Sequence, residues 1–201
     1  MESDRRMTDT RQRILQCARA LYTAGGYEKM NFQSIAEQLH VSKPSLFYHF
    51  KNKQELFYEV LLSLIEEYHE MFLQVIHRGD SSIRATLRRI MQQLAAEPRF
   101  DMMRFWREEF NLLAPQQRQI VSEAWQKGLL EVIIAILEDG VARQELRTFQ
   151  NPLHAYAFLH LCLLLPQPEH PGKPRLLSLS LEETIDALLI LFLEGLGIKK
   201  G

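Results

Sequence analysis

The chain has 201 residues, 24 Lys/Arg against 25 Asp/Glu for a net charge of −1, and 46% apolar residues. That composition excludes a disordered chain and leaves room for one or two packed domains. Charge alone does not nominate a nucleic-acid binder: residues 1–60 hold nine basic and seven acidic side chains, residues 61–201 fifteen and eighteen.

Met1 to Arg13 is charged and does not read as a secretory signal; residues 1–7 are expected to form a frayed basic tail. Thr8-Asp9-Thr10 then offers caps for a helix whose inner face is Ile14, Leu15, Ala18, Leu21 and Tyr22, stopped by Gly25-Gly26. Asn31 is placed to cap a short helix with Ile35, Ala36 and Leu39 inward. His40-Val41 makes a tight turn. Ser42 caps a second short helix with Pro44 in its first turn, where a missing N–H costs little. Leu46, Phe47 and Phe50 are expected to face inward, leaving Lys43, Ser45, Tyr48 and His49 outward. Two short helices with a small turn, the second presenting a polar and aromatic face, describe a helix-turn-helix for DNA binding.

From Lys53 a long helix follows, with Leu56, Val60, Leu64, Tyr68 and Phe72 in one stripe before Gly79. A helix through Ile83, Leu87, Ile90, Met91 and Leu94 ends by Pro98, and Pro115 opens another that Gly140 closes. Pro152 opens the next, running to Leu165. Residues 166–174 contain four prolines and read as a surface loop, and Leu181 to Leu196 is the last helix. No strand alternation, repeat or phosphate-cradling glycine run occurs, so the expected fold is all-α: a helix-turn-helix domain over residues 1–52 and a helical domain over 53–201.

At these residues the chain resembles the TetR family of bacterial transcriptional regulators. The resemblance is carried by Ile35-Ala36, Val41-Ser42, Leu46-Phe47-x-His49-Phe50 and Lys51-x-Lys53-x-x-Leu56, and covers roughly residues 10 to 60. Pro44-Ser45-Leu46-Phe47-Tyr48-His49 is similar to the recognition helix of the tetracycline repressors. The resemblance implies that Pro44 packs on thymine methyls and that Tyr48, His49 and Lys53 meet phosphates. Lys53 also begins a helix, whose free N–H groups suit phosphate. Lys43 and Ser45 lie at the helix end that reaches base edges, and Gln33 stands where that group has arginine and can address adenine. Asn31 and Ser34 add phosphate contacts. Phe47, often tyrosine in the family, is read as packing only.

The resemblance further implies a small-molecule effector bound in the second domain. Met91, Phe100, Met102, Met103, Phe105, Trp106, Phe110 and Trp125 are the candidate lining, because aromatic walls and adaptable methionines suit a largely apolar ligand. Arg104, Arg107, Glu108 and Glu109 are expected as surface charges or ion pairs or, for one or two of them, as groups that orient a polar end of the ligand. The apolar last helices imply a homodimer through Leu159, Leu163, Leu188, Leu189 and Phe192 in a four-helix interface.

The expectation is therefore a cytoplasmic, dimeric repressor of double-stranded DNA at a palindromic operator, released by its effector, with no enzymatic activity, cofactor or metal. One alternative is a helix-turn-helix protein without effector, architectural or division-related. A remoter one is a helical metal enzyme. Against that, Glu66-x-x-His69 lacks the second Glu-x-x-His a di-iron bundle needs, and reads as a solvated face. His154, His160, Cys17 and Cys162 form no ligand or disulfide spacing, and the thiols read as buried. The apolar runs at 161–165 and 188–193 fall short of the roughly 18 residues a membrane span requires.

Overall fold

The computed structural model describes residues 2–96, 101–147, 152–165 and 179–195, without the side chains of residues 2–8, Met103 and Gly195. Within these the regular elements are helical: α1 Glu2–Lys29, α2 Phe32–Leu39, α3 Lys43–His49, α4 Lys53–His77, α5 Ile83–Ala96 and the single turn α6 Met102–Arg104. A π-turn at Phe105–Glu109 and a 3-10 turn at Phe110–Leu112 follow, then α7 Pro115–Trp125, a second π-turn Gln126–Leu130, α8 Glu131–Ala142, α9 Leu153–Leu161, a 3-10 turn Cys162–Leu164 and α10 Leu181–Gly195. Phe100, Pro98, Leu196 and the expected loop at 166–174 lie outside the described residues.

Helix α1 begins at Glu2, ahead of the expected caps, so residues 2–7 continue it instead of fraying. The chain divides by compactness into residues 1–65 with 100–123, and residues 66–99 with 124–201. The expected split at residue 52 follows the helix-turn-helix; compactness adds the start of α4 and residues 100–123 to it.

In the first unit, α1 buries Ile14, Ala18 and Tyr22, one helical turn apart each, while Leu15 and Leu21 are half-buried. Gly26 breaks α1 at φ +75°, ψ −170°, a conformation open essentially to glycine alone. From α4, Leu56, Phe57, Val60, Leu61 and Leu64 complete this core. Arg11 of α1 pairs with Glu59 at 2.8 Å and lies over the Phe50 ring at 4.9 Å. The start of α4 is capped reciprocally: Asn52 accepts from the Glu55 N–H and Glu55 accepts from the Lys51 N–H, both at 2.8 Å.

In the second unit α5 buries Ile83, Leu87, Ile90, Met91 and Ala95 against α8 and α10. Arg88 of α5 binds Glu182, at 2.8 Å, and Asp186 of α10. The helix opened by Pro115 does not stop at Gly140. It passes through the second π-turn and ends at Ala142, where Gln144 takes φ 62°. Gly140 lies inside α8 because a Cβ there would stand 3.0 Å from Leu146 and 3.1 Å from Ile83. His69 accounts for one carbonyl of the π-turn, its Nδ1 lying 2.8 Å from the Gly128 oxygen. Glu66, Glu67 and Glu70 are exposed around it. No helix among the described residues is long and apolar enough to cross a membrane, and none of their acidic, His or Cys side chains converge in threes on a metal position.

Candidate nucleic-acid interface

Both short helices start on side-chain caps. Asn31 Oδ1 accepts from the Ser34 N–H at 2.9 Å, and Ser42 Oγ accepts from the Ser45 N–H at 3.4 Å. His40 closes α2 in the left-handed conformation (φ 53°, ψ 42°), and the Val41 N–H donates to the Ala36 carbonyl at 3.0 Å. That reversal is tight enough to bring α3 across α2, and Ile35, Ala36, Leu46 and Phe50 are buried beneath them. Leu46 and Phe50 sit i, i+4 on α3, so their burial fixes which face remains outside.

That outer face carries Lys43, Pro44 and Tyr48, all exposed, with Tyr48 at 72% of its free surface. Ser45 and His49 are half-buried at its margin, and the His49 ring meets Tyr48 edge-on at 5.3 Å. Phe47 corrects the sequence reading. It is 50% exposed, not inward, and its ring stands edge-on to Phe32 at 4.7 Å. The reason is geometric: a residue one step beyond Leu46 is rotated by about 100° from the buried stripe. The Leu46/Phe50 pair in the sequence already carried that signal.

On α2, Gln33 is exposed but its amide donates to the Glu37 carboxylate, so reading a base means giving up that bond. Asn31 is engaged locally on both sides, since its Nδ2 also donates to the Lys29 carbonyl at 3.3 Å. Ser34 is half-buried beside it. Lys53 Nζ rests 3.9 Å above the Tyr27 ring and 3.9 Å from Glu28, which holds the ammonium near the start of α4.

Residues outside the helix-turn-helix also bear on it. Glu109, expected as a surface charge or an ion pair, is buried and lies beside Arg104: its Oε2 accepts from Tyr22 OH at 2.6 Å and its Oε1 from the Tyr27 N–H at 3.0 Å. Burial, with the Glu109 carboxylate, pushes the Tyr22 hydroxyl well above its usual range. Arg104 Nε lies 3.2 Å from Glu109 Oε1, an ion pair without hydrogen-bond alignment. Arg107 and Glu108 pair at the surface as expected.

The candidate effector residues are apolar and mostly covered. Met91, Met102, Phe105 and Trp125 are buried, Trp106 and Phe110 half-buried. Phe105, Trp106 and Phe110 stack edge-on or tilted, at 4.7 to 5.7 Å. Of the candidate dimer residues, Leu159, Leu188, Leu189 and Phe192 are buried within the single chain and Leu163 is half-buried. Helices α9 and α10 and the turn after α9 expose Leu153, Tyr156, Leu164, Ile190 and Leu191 instead.

Residues 14–60 match the family model for bacterial regulatory proteins of the tetR family. An uncharacterized HTH-type transcriptional regulator, YhgD of Bacillus subtilis strain 168, is 25% identical over 92% of this chain and 94% of its own length. The TetR-family regulator PfmR from Thermus thermophilus superimposes with a TM-score of 0.63 at 25% identity, covering 91% of this chain and 98% of that one. FadR from Bacillus subtilis, solved with stearoyl-CoA, shares the fold at TM-score 0.67 and 17% identity, covering 92% and 98%. The capped helix pair, its outward basic and aromatic face and the family-model match together mark residues 14–60 as a helix-turn-helix domain of the kind found in bacterial regulatory proteins of the tetR family.

Proposed function

We propose that the chain acts as a homodimeric repressor that binds a palindromic operator and is released by a small effector with a large apolar part. The observation that carries the reading is the α3 face on which Lys43, Pro44 and Tyr48 are exposed to solvent. A helix of seven residues covers little DNA, and pairing two of them about 34–36 Å apart on a palindrome supplies the affinity one lacks. Pairing is supported by the apolar side chains exposed on α9 and α10, an unusual surface for a monomer. Replacing Leu191, 63% exposed, by Asp is expected to convert a dimer to a monomer in light scattering; an unchanged dimer places the interface elsewhere.

The effector reading rests on the buried Met and aromatic residues and on the fold shared with FadR, which was solved with stearoyl-CoA. Acyl-CoA thioesters are therefore the ligands to test first. An operator selected from random duplexes is titrated with protein, with and without saturating stearoyl-CoA. A releasing effector lowers affinity about 5- to 150-fold, the usual range of coupling between two sites. Equal affinities remove stearoyl-CoA as effector, and equal affinities across an acyl-CoA chain-length series remove the switch.

A further inference from the structure

The segment after α6 reaches the DNA-binding residues through the Glu109 carboxylate, the backbone and ring of Tyr27, and Lys53. Glu109 closes the first π-turn and is only 6% exposed. Its two oxygens take the Tyr22 hydroxyl and the Tyr27 backbone N–H, and Arg104 lies against it with its guanidinium 5.8 Å from the Tyr22 ring centre. Gly26 lets the chain approach: a Cβ there would sit 2.8 Å from Glu109 Oε1. Tyr27 is thereby fixed through its backbone, and its ring packs edge-on to Phe57 at 4.9 Å. The Lys53 ammonium lies over the same ring, 3.9 Å from its centre.

A buried carboxylate with an arginine adds little net stability compared with an apolar pair of the same shape. It does impose direction, since it accepts from one hydroxyl and one particular amide. We propose that Glu109 is a positioning residue for DNA binding, its carboxylate fixing Tyr27 and, through the Tyr27 ring, the place of Lys53 at the start of α4. This rests on the reading of Lys53 as a phosphate contact. Glu109 touches no DNA in this account.

Salt dependence separates positioning from folding. Each phosphate contact contributes about 0.9 to the slope of log affinity against log salt. A variant that is merely less folded binds fewer molecules at every salt concentration and keeps its slope. The full chain and its variants are titrated with a selected operator between about 50 and 200 mM salt. Lys53→Met is expected to lower the slope by about 0.9 per subunit, and Glu109→Ala to lower it equally, with no further loss in the double variant. Glu109→Gln restores the slope, because its oxygen can keep the Tyr27 amide while its NH2 donates to the Tyr22 oxygen. A wild-type slope in Glu109→Ala beside a lowered one in Lys53→Met overturns the positioning role. A wild-type slope in Lys53→Met overturns the phosphate contact itself. If Glu109→Ala does not fold, Tyr27→Leu decides, since it keeps the amide and removes the ring: a lowered slope supports the proposal, and a wild-type slope overturns it.

Discussion

Substitution of Gly26 by alanine isolates the tightest point of the first unit. The backbone there, at φ +75° and ψ −170°, is costly for any residue with a side chain, by about 1–3 kcal/mol. The added methyl would stand 2.8 Å from Glu109 Oε1 and 2.9 Å from Arg104 Cζ. Glu109 is held by Tyr22 and by a backbone amide, so it has little freedom to withdraw, and overpacking adds about 1–3 kcal/mol. The reduced freedom of the unfolded chain returns about 0.4–1 kcal/mol. From the midpoints Gly26→Ala is destabilising by about 3 kcal/mol. Its neighbour is the control. Gly25 has φ −167°, and a Cβ there meets only the side chain of exposed Lys29: the Cδ end can swing away, and Lys29 Cβ, 3.0 Å distant, needs to give by a few tenths of an ångström. Gly25→Ala is expected to change stability by less than about 1 kcal/mol. Urea unfolding at equal protomer concentration, followed by far-UV circular dichroism, gives both values. Equal losses in the two variants refute the reasoning, as does a Gly26→Ala loss below about 1 kcal/mol.

Elsewhere the structure makes three further predictions. His40, exposed and left-handed at the end of α2, occupies a position that favours glycine, so His40→Gly raises the urea midpoint by the equivalent of about 0.5–1 kcal/mol; a lowered midpoint shows that the imidazole contributes more than its backbone costs. Gln33→Ala leaves stability within about 0.5 kcal/mol but relaxes base preference at a single operator position per half-site, measured by binding to a panel of single-base variants. The Arg89 guanidinium holds the Asp80 carboxyl below its ordinary value of 3.8, so this pair stabilises the fold above that value and the stabilisation is lost as pH falls through the lowered one. Asp80→Asn therefore flattens the acid side of the stability profile below about pH 4, while the parent protein declines there.

Much of the DNA-binding unit was legible in the sequence because its determinants are local. Asn31 and Ser42 cap the helices that their positions suggested, and Pro44 falls in the first turn of α3. Ile35, Leu46 and Phe50 are buried, as the helical period requires. An apolar residue beside Leu46 reads as part of the same inward stripe, yet the helix rotates Phe47 outside. The π-turns were not legible, since a bond from i to i+5 has no residue code and depends on packing. The same holds for Glu109. Its partners Tyr22 and Tyr27 lie 87 and 82 residues away, so in sequence a glutamate beside Arg107 and Glu108 reads as one more charge of that cluster. The apolar runs of α9 and α10 were visible, but which leucines face outward depends on how each helix packs within its own chain. Leu188 and Leu189 point into the chain, and Ile190 and Leu191 do not.

Lys43 and Tyr48 are the residues whose replacement bears hardest on DNA recognition by α3, because both stand outside the core and their loss leaves the fold intact. Affinity of the full chain for a selected palindrome is compared with affinity for the same bases scrambled, at one fixed salt concentration. The parent protein is expected to prefer the palindrome by about 1,000-fold or more, and Lys43→Ala with Tyr48→Ala to abolish most of that preference without lowering the unfolding midpoint. Undiminished preference in the double variant contradicts recognition by α3.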